Sequence, residues 1–231
     1  YNSTSGAFKI AIAGAGAWAS GGNLNTGRTN VAGIGIITAA VCATGQDAPT
    51  TITAVTEEYN GTAWTEVNNI PTATKFPGSG GTQTAGWVAG GTDSPTGASP
   101  FPTTMYTYDG TSWATGGAIN TGRYGDAGAG TLTTAFICGG AIPPGSPGGV
   151  GNMETYNGSA WTEVGNTNTV RYSGVASGDN TAGLIASGHS SGSLTANTEI
   201  WNGSSWSETN NLNMARQRSA KGGGTATSTS A

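Results

Sequence analysis

Charge is scarce in this 231-residue sequence. Only 9% of residues are Asp, Glu, Lys or Arg, against roughly 25% in typical globular chains. Eight Lys and Arg and a calculated pI of about 4.8 leave no basic surface with which to grip nucleic acid. No run of 18 apolar residues occurs, so no membrane-spanning helix is encoded. Two cysteines do not make a disulfide framework. A single histidine, with no closely spaced Cys and His, leaves zinc without a ligand set. Leu, Ile, Val and Phe together reach only 13%. With a large net charge that shortage would indicate disorder, but the formal net charge is −4.

What is abundant is glycine, 41 residues, together with seven Trp, seven Tyr and four Phe. The aromatics supply the burial that aliphatics do not. Glycine has no three-residue period, so the chain is not collagen-like.

Self-comparison reveals a repeat. Tyr59-Asn60-Gly61-Thr62-Ala63-Trp64 returns as Tyr108-Asp109-Gly110-Thr111-Ser112-Trp113, as Tyr156-Asn157-Gly158-Ser159-Ala160-Trp161 and as Trp201-Asn202-Gly203-Ser204-Ser205-Trp206. A fainter copy ends at Trp18. Trp18, Trp64, Trp113, Trp161 and Trp206 are spaced by 46, 49, 48 and 45 residues. Arg28, Arg123, Arg171 and Arg216 each lie ten residues after one of these tryptophans, with Thr74 at the remaining place. Gly45, Gly91, Gly140 and Gly188 lie twenty-seven residues after.

Each unit reads as four short strands: a Gly-rich strand after the arginine, a second running into the glycine, a third ending at the Tyr and a fourth starting at the Trp. The Asn-Gly or Asp-Gly between the last two predicts a two-residue hairpin turn with both residues at positive φ. No helical period occurs. Repeats of this length, with four strands each, predict an all-β fold: a β-propeller of four-stranded antiparallel blades. The units run over about 28–73, 74–122, 123–170 and 171–215, with 216–231 completed by 1–27. The expectation is one domain over 1–231 with five blades, the last shared between the two ends, which would remove a free sheet edge. A segment of a longer chain with more blades is the competing reading.

The Gly-Gly, Tyr, Trp, Arg order resembles the kelch repeat across essentially the whole chain. The Gly- and Thr-rich dialect of the copies, as in Thr56 to Trp64, is similar to the kelch-type proteins predicted in marine phage genomes. Copper-radical oxidases share kelch-type blades but need two histidines, so the resemblance does not bring their activity here.

Arginine and glutamate vary together. Arg28, Arg123 and Arg171 are matched by Glu57, Glu154 and Glu199, each two places before the Tyr position of the same unit, which Trp201 fills in the last. In the unit with Thr74 that place holds Tyr106, so both charges vanish together. The prediction is a structural ion pair between first and third strands. Arg216 departs from this, since its partner place in a closed ring is Ala11. Cys42 and Cys138 sit one place out of register and are expected as two separate buried thiols on opposite faces of their sheets. Glu66, Glu163 and Glu208 fall on fourth strands, and no acid–base pair stands out. Sequons occur at Asn2, Asn60, Asn157 and Asn202, and the turn explains the last three without glycosylation.

The five tryptophans are expected to fill equivalent sites between blades. Only the connections between second and third strands change in length and composition: 46–53, 92–104, 141–152 and 189–197. Together they carry Asp93, Phe101, Ile142, Asn152 and His189, which form the candidate binding face. Loops also drift where nothing constrains them, so variation alone does not establish binding.

The resemblance implies a non-enzymatic virion surface protein, a tail-fibre-type adhesin or capsid decoration. Its partners would be a host-surface glycan or protein, or other virion proteins, with no nucleic acid, no membrane insertion and no cofactor or metal. A secreted or cell-surface bacterial propeller that binds glycans or proteins is the alternative, and a glycan-active enzyme the third. The expected location is the virion surface or the extracellular space.

Overall fold

A computed structural model describes residues 21–96, 101–142 and 149–217. They form an all-β propeller in which four blades are present. Blade 1 comprises β1 (Ala32–Ile36), β2 (Ala39–Ala43), a small hairpin of β3 (Gln46–Ala48) and β4 (Thr51–Ile52), then β5 (Thr56–Tyr59) and β6 (Trp64–Val67). Blade 2 comprises β7 (Gly78–Thr82), β8 (Ala85–Ala89), β9 (Met105–Tyr108) and β10 (Trp113–Thr115). Blade 3 comprises β11 (Ala127–Ala129), β12 (Phe136–Cys138), β13 (Met153–Tyr156) and β14 (Trp161–Val164). Blade 4 comprises β15 (Val175–Gly178), β16 (Gly183–Ala186), a second small hairpin of β17 (His189–Ser190) and β18 (Ser193–Leu194), then β19 (Thr198–Trp201) and β20 (Trp206–Thr209). Each blade is an antiparallel meander in chain order. The expected fifth unit falls mostly outside the described residues, as does Trp18.

The first strands of successive blades pack against one another. Small residues are required there. A Cβ on Gly128 would lie 2.8 Å from the Trp87 ring and 2.9 Å from the Ser79 nitrogen. Three apolar clusters fill the gaps between blades. Ile34, Val41, Val88 and Tyr108 lie between blades 1 and 2. Trp87, Met105, Ile137, Tyr156 and Trp161 join blades 2 and 3. Phe136, Met153, Ile185, Trp201 and Trp206 join blades 3 and 4.

Trp113, Trp161 and Trp206 occupy equivalent places, each reaching back to the first residue of the third strand of the preceding blade, but their burial differs. Trp161 and Trp206 are buried and donate their indole N–H to the sulfurs of Met105 and Met153. Trp113 meets Thr56 at the matching position, donates to its hydroxyl at 3.2 Å, and remains half-exposed. Trp64 is also half-exposed and donates to the Gly22 carbonyl. Thioether is apolar and adaptable where threonine is short and polar, so the methionine sites seal and the threonine site does not.

The third-to-fourth turn also departs from expectation. Only the glycine takes positive φ, +92° at Gly61 and +95° at Gly158. The residue before it keeps ordinary φ and caps the turn instead. Asn60 Oδ1 accepts the Thr62 and Ala63 N–H groups, and Asp109, Asn157 and Asn202 do the same. Two local hydrogen bonds favour this geometry over a mirror-image turn. Each glycine lies against the first-to-second turn of its own blade, Gly61 on Thr38 and Gly158 on Thr133. These two sets of turns therefore share one face of the disc.

The cysteines are separate, buried and unpaired. Cys42 pairs with Glu57 across the ladder, whereas Cys138 pairs with Met153, next to Glu154. They are thus one register apart and point to opposite sheet faces.

Candidate functional site

The opposite face carries the second-to-third loops, and a buried arginine network sets their stems. Arg123 enters blade 3 from the segment before β11. It donates Nη2 to Glu154, Nη1 to the carbonyls of Gly139 (3.3 Å) and Asn152 (2.9 Å), and Nε to Thr121 O. Gly139 and Asn152 are the two ends of the loop, joined by Gly139 N–H to Asn152 O at 3.0 Å. Arg171 repeats this in blade 4, with Nη2 on Glu199 at 2.6 Å and Nη1 on Ser187 O and Asn197 O. Arg28 pairs with Glu57 at 2.9 Å in blade 1 and bonds Val55 O and Cys42 O. All six charged side chains are essentially inaccessible to water.

The carboxylates are satisfied further by residues that spacing alone did not single out. The backbone N–H and side-chain amide of Asn120 donate to Glu154 Oε2, and Asn120 Nδ2 also reaches Trp161 O. Asn25 makes the same three bonds to Glu57 and Trp64 O. Asn168 gives its N–H to Glu199 and its amide to Trp206 O. The signal was present as an asparagine three residues before each paired arginine. Such satisfaction lets an ion pair survive burial; it extends to Nε in Arg123 and Arg171, whereas the buried Nε of Arg28 meets no partner.

The loop ends turn through paired positive φ, +69° and +96° at Gly139 and Gly140. The second N–H of the pair then reaches the next blade: Gly45 to Thr74 O, Gly91 to Arg123 O, Gly140 to Arg171 O and Gly188 to Arg216 O, at 2.8–2.9 Å. One step further in, Phe76 N–H donates to Asn30 O, Gly125 N–H to Phe76 O and Ser173 N–H to Gly125 O. Asn30, Phe76 and Ser173 hold positive φ there although none is glycine. The blade-to-blade hydrogen bonds hold that strain in place.

Above this row, the residue after each arginine position pairs with the first residue of its own blade's loop: Thr29 with Gln46, Lys75 with Thr92, Tyr124 with Ala141, and Tyr172 with His189. The rings cluster. Phe101 packs edge-on against Tyr124 with centroids 4.8 Å apart, and Phe76 lies 6.1 Å from Tyr124. Tyr172 and His189 lie 5.0 Å apart. Phe76, Tyr124, Tyr172 and His189 are half-exposed. Lys75 is buried, with its ammonium on Pro95 O at 2.6 Å and 5.9 Å from the Phe76 centroid. Desolvation lowers its pKa.

Of the sequence-predicted face, His189 joins this aromatic surface, while Phe101 is buried beneath Tyr124 rather than presented to solvent. Asp93 is exposed beside Thr92. Asn152 sits at a loop stem and donates its amide to Glu163 at 2.7 Å. Ile142 is half-exposed, next to residues 143–148, which lie outside the described set. Lys75, Phe76, Tyr124 and Tyr172 were missed. For Lys75, Tyr124 and Tyr172 the signal was the place directly after the repeat-arginine position, which is cationic or aromatic in blades 2 to 4, and Phe76 follows one place later. Among the described residues no three His, Cys, Asp or Glu side chains gather as a metal site. No protein-family model matches the chain, and no curated protein matches it.

Proposed function

We propose that the chain is a non-enzymatic recognition module of a virion surface, a tail-fibre-type adhesin or capsid decoration. Its long-loop face would engage a host-surface glycan or protein, or a neighbouring virion protein. The observation that carries the face assignment is the half-exposed aromatic surface of Phe76, Tyr124, Tyr172 and His189, set on a strained row of blade-to-blade hydrogen bonds and rimmed by loops that differ between blades. Aromatic rings with polar neighbours give large contact area at low entropic cost. The opposite face offers four near-identical turns whose polar groups are spent on capping themselves. The virion assignment draws its support from the repeat's resemblance to kelch-type phage proteins.

Two measurements test the reading. Immunolabelling of purified particles should find the chain on their surface, and finding it only on cells or in the medium would favour the secreted-propeller alternative. On a glycan and surface-protein array, Tyr124→Ala and Tyr172→Ala should each weaken binding at least tenfold, while Asn157→Ala on the opposite face leaves it unchanged. The reverse pattern would overturn the face assignment.

A further inference from the structure

Blade 2 lacks the arginine–glutamate pair, and what stands in its place is a small cavity. It is lined by Thr72, Thr74, Val88, Gly90, Pro102, Thr104 and Tyr106 and has a volume of about 20 Å³. Thr74 holds the arginine position and Tyr106 the glutamate position. The Tyr106 hydroxyl turns to Thr72 Oγ1 at 2.8 Å. Thr74 is 5% exposed, and its buried hydroxyl meets no hydrogen-bond partner.

The backbone around the cavity matches the other blades. Gly90 N–H donates to Thr104 O at 3.1 Å, as Gly139 does to Asn152 at 3.0 Å and Ser187 to Asn197 at 3.2 Å. In blades 3 and 4 the two carbonyls of that stem, Gly139 O with Asn152 O and Ser187 O with Asn197 O, both accept from a single arginine nitrogen, Nη1. In blade 2 the corresponding residues, Gly90 and Thr104, both line the cavity. A threonine side chain is too short to reach where Nη1 stands.

We propose that this cavity is a site for one ordered water, which takes the place of arginine Nη1. It would donate its two hydrogens to Gly90 O and Thr104 O and accept the proton of the Thr74 hydroxyl. The fit follows from number and size. A buried water needs two to four polar partners and at least about 10–15 Å³ of accessible volume, and the site supplies three partners and room for one molecule. An apolar void of this size would stay dry, but here one lining hydroxyl is buried and unsatisfied, which is costly unless a partner enters.

The water ties the two ends of loop 92–104 as the guanidinium ties those of the loops in blades 3 and 4, but with an exchangeable molecule instead of a covalent side chain. Among the four described blades, the loop that carries Asp93 and Phe101 is therefore the one whose stem can open without breaking an ion pair.

Diffraction from crystals of the whole chain at about 1.5 Å or better tests this. The expected result is a fully occupied solvent peak within hydrogen-bonding distance of Thr74 Oγ1, Gly90 O and Thr104 O. Thr74→Ser should keep that peak, and Thr74→Val should lose it or reduce its occupancy at least twofold with the backbone unmoved. A dry cavity, collapse of Tyr106 or Pro102 into it, or a peak indifferent to Thr74→Val would each overturn the proposal. If the valine variant does not fold, the wild-type and serine structures still decide.

Discussion

Blade 3 and blade 2 share a backbone and differ in what lies inside the loop stem. In blade 3 a buried guanidinium bonds both loop ends and a carboxylate, which in turn accepts N–H groups from Asn120 and Thr121. In blade 2 threonine and tyrosine take those two places and enclose a cavity of about 20 Å³. Both solutions give the same stem hydrogen bond, 3.0 Å in one and 3.1 Å in the other. The lesson is that the stem needs its charges matched, not present, and that the ion pair is one of two ways of matching them. Losing both charges is tolerated, whereas losing one would strand the other in a site closed to water.

Breaking one side of the comparison should give the largest effect. Arg123→Ala leaves Glu154 buried without its counter-charge and should destabilise the protein by about 3–5 kcal/mol, read from urea unfolding. Transplanting the blade 2 residues, Arg123→Thr with Glu154→Tyr, removes both charges and should cost clearly less than the single change. If the double variant is the worse of the two, charge matching is not what the stem requires. The tryptophans give a second contrast. Trp161→Ala empties a sealed site on Met105 and should cost about 3–5 kcal/mol, while Trp113→Ala, beside Thr56 and half-exposed, should cost less than half as much.

A smaller test concerns the thiols. Burial pushes Cys42 and Cys138 above the ordinary thiol range, with Arg28 and Arg171 only partly offsetting it. A raised pKa and an inaccessible sulfur both suppress the thiolate. Neither should react with an alkylating reagent at pH 8 in the folded protein, and both should react in denaturant. Labelling of either without unfolding would show that its blade opens locally.

Much of this was legible in the sequence because the repeat reports itself several times. The covariation of arginine with glutamate placed the three ion pairs, and a one-residue offset placed the two cysteines on opposite sheet faces. Other features were not legible, for local reasons. The turn at Asn60-Gly61 depends on whether the asparagine side chain caps its own backbone, a choice that the dipeptide alone does not fix. Whether a repeat tryptophan is sealed depends on the residue opposite it in the preceding blade, Met105 or Thr56, 56 or 57 residues away in sequence. Phe101 looked like a loop residue available for contact, yet on a surface of threonine and glycine its ring is better placed beneath Tyr124. Of the aromatic surface, His189 was found in its variable loop, while Phe76, Tyr124 and Tyr172 escaped because they belong to the first-strand approach.

The most direct test of the central claim, that side-chain filling of the stem sets how firmly each loop is held, is native-state amide exchange at the equivalent stem positions. Gly90, Gly139 and Ser187 donate the same backbone hydrogen bond in blades 2, 3 and 4. The account predicts that Gly90 exchanges at least tenfold faster than Gly139 and Ser187, because opening blade 2 breaks no ion pair. Equal protection at all three, or slower exchange at Gly90, would contradict it.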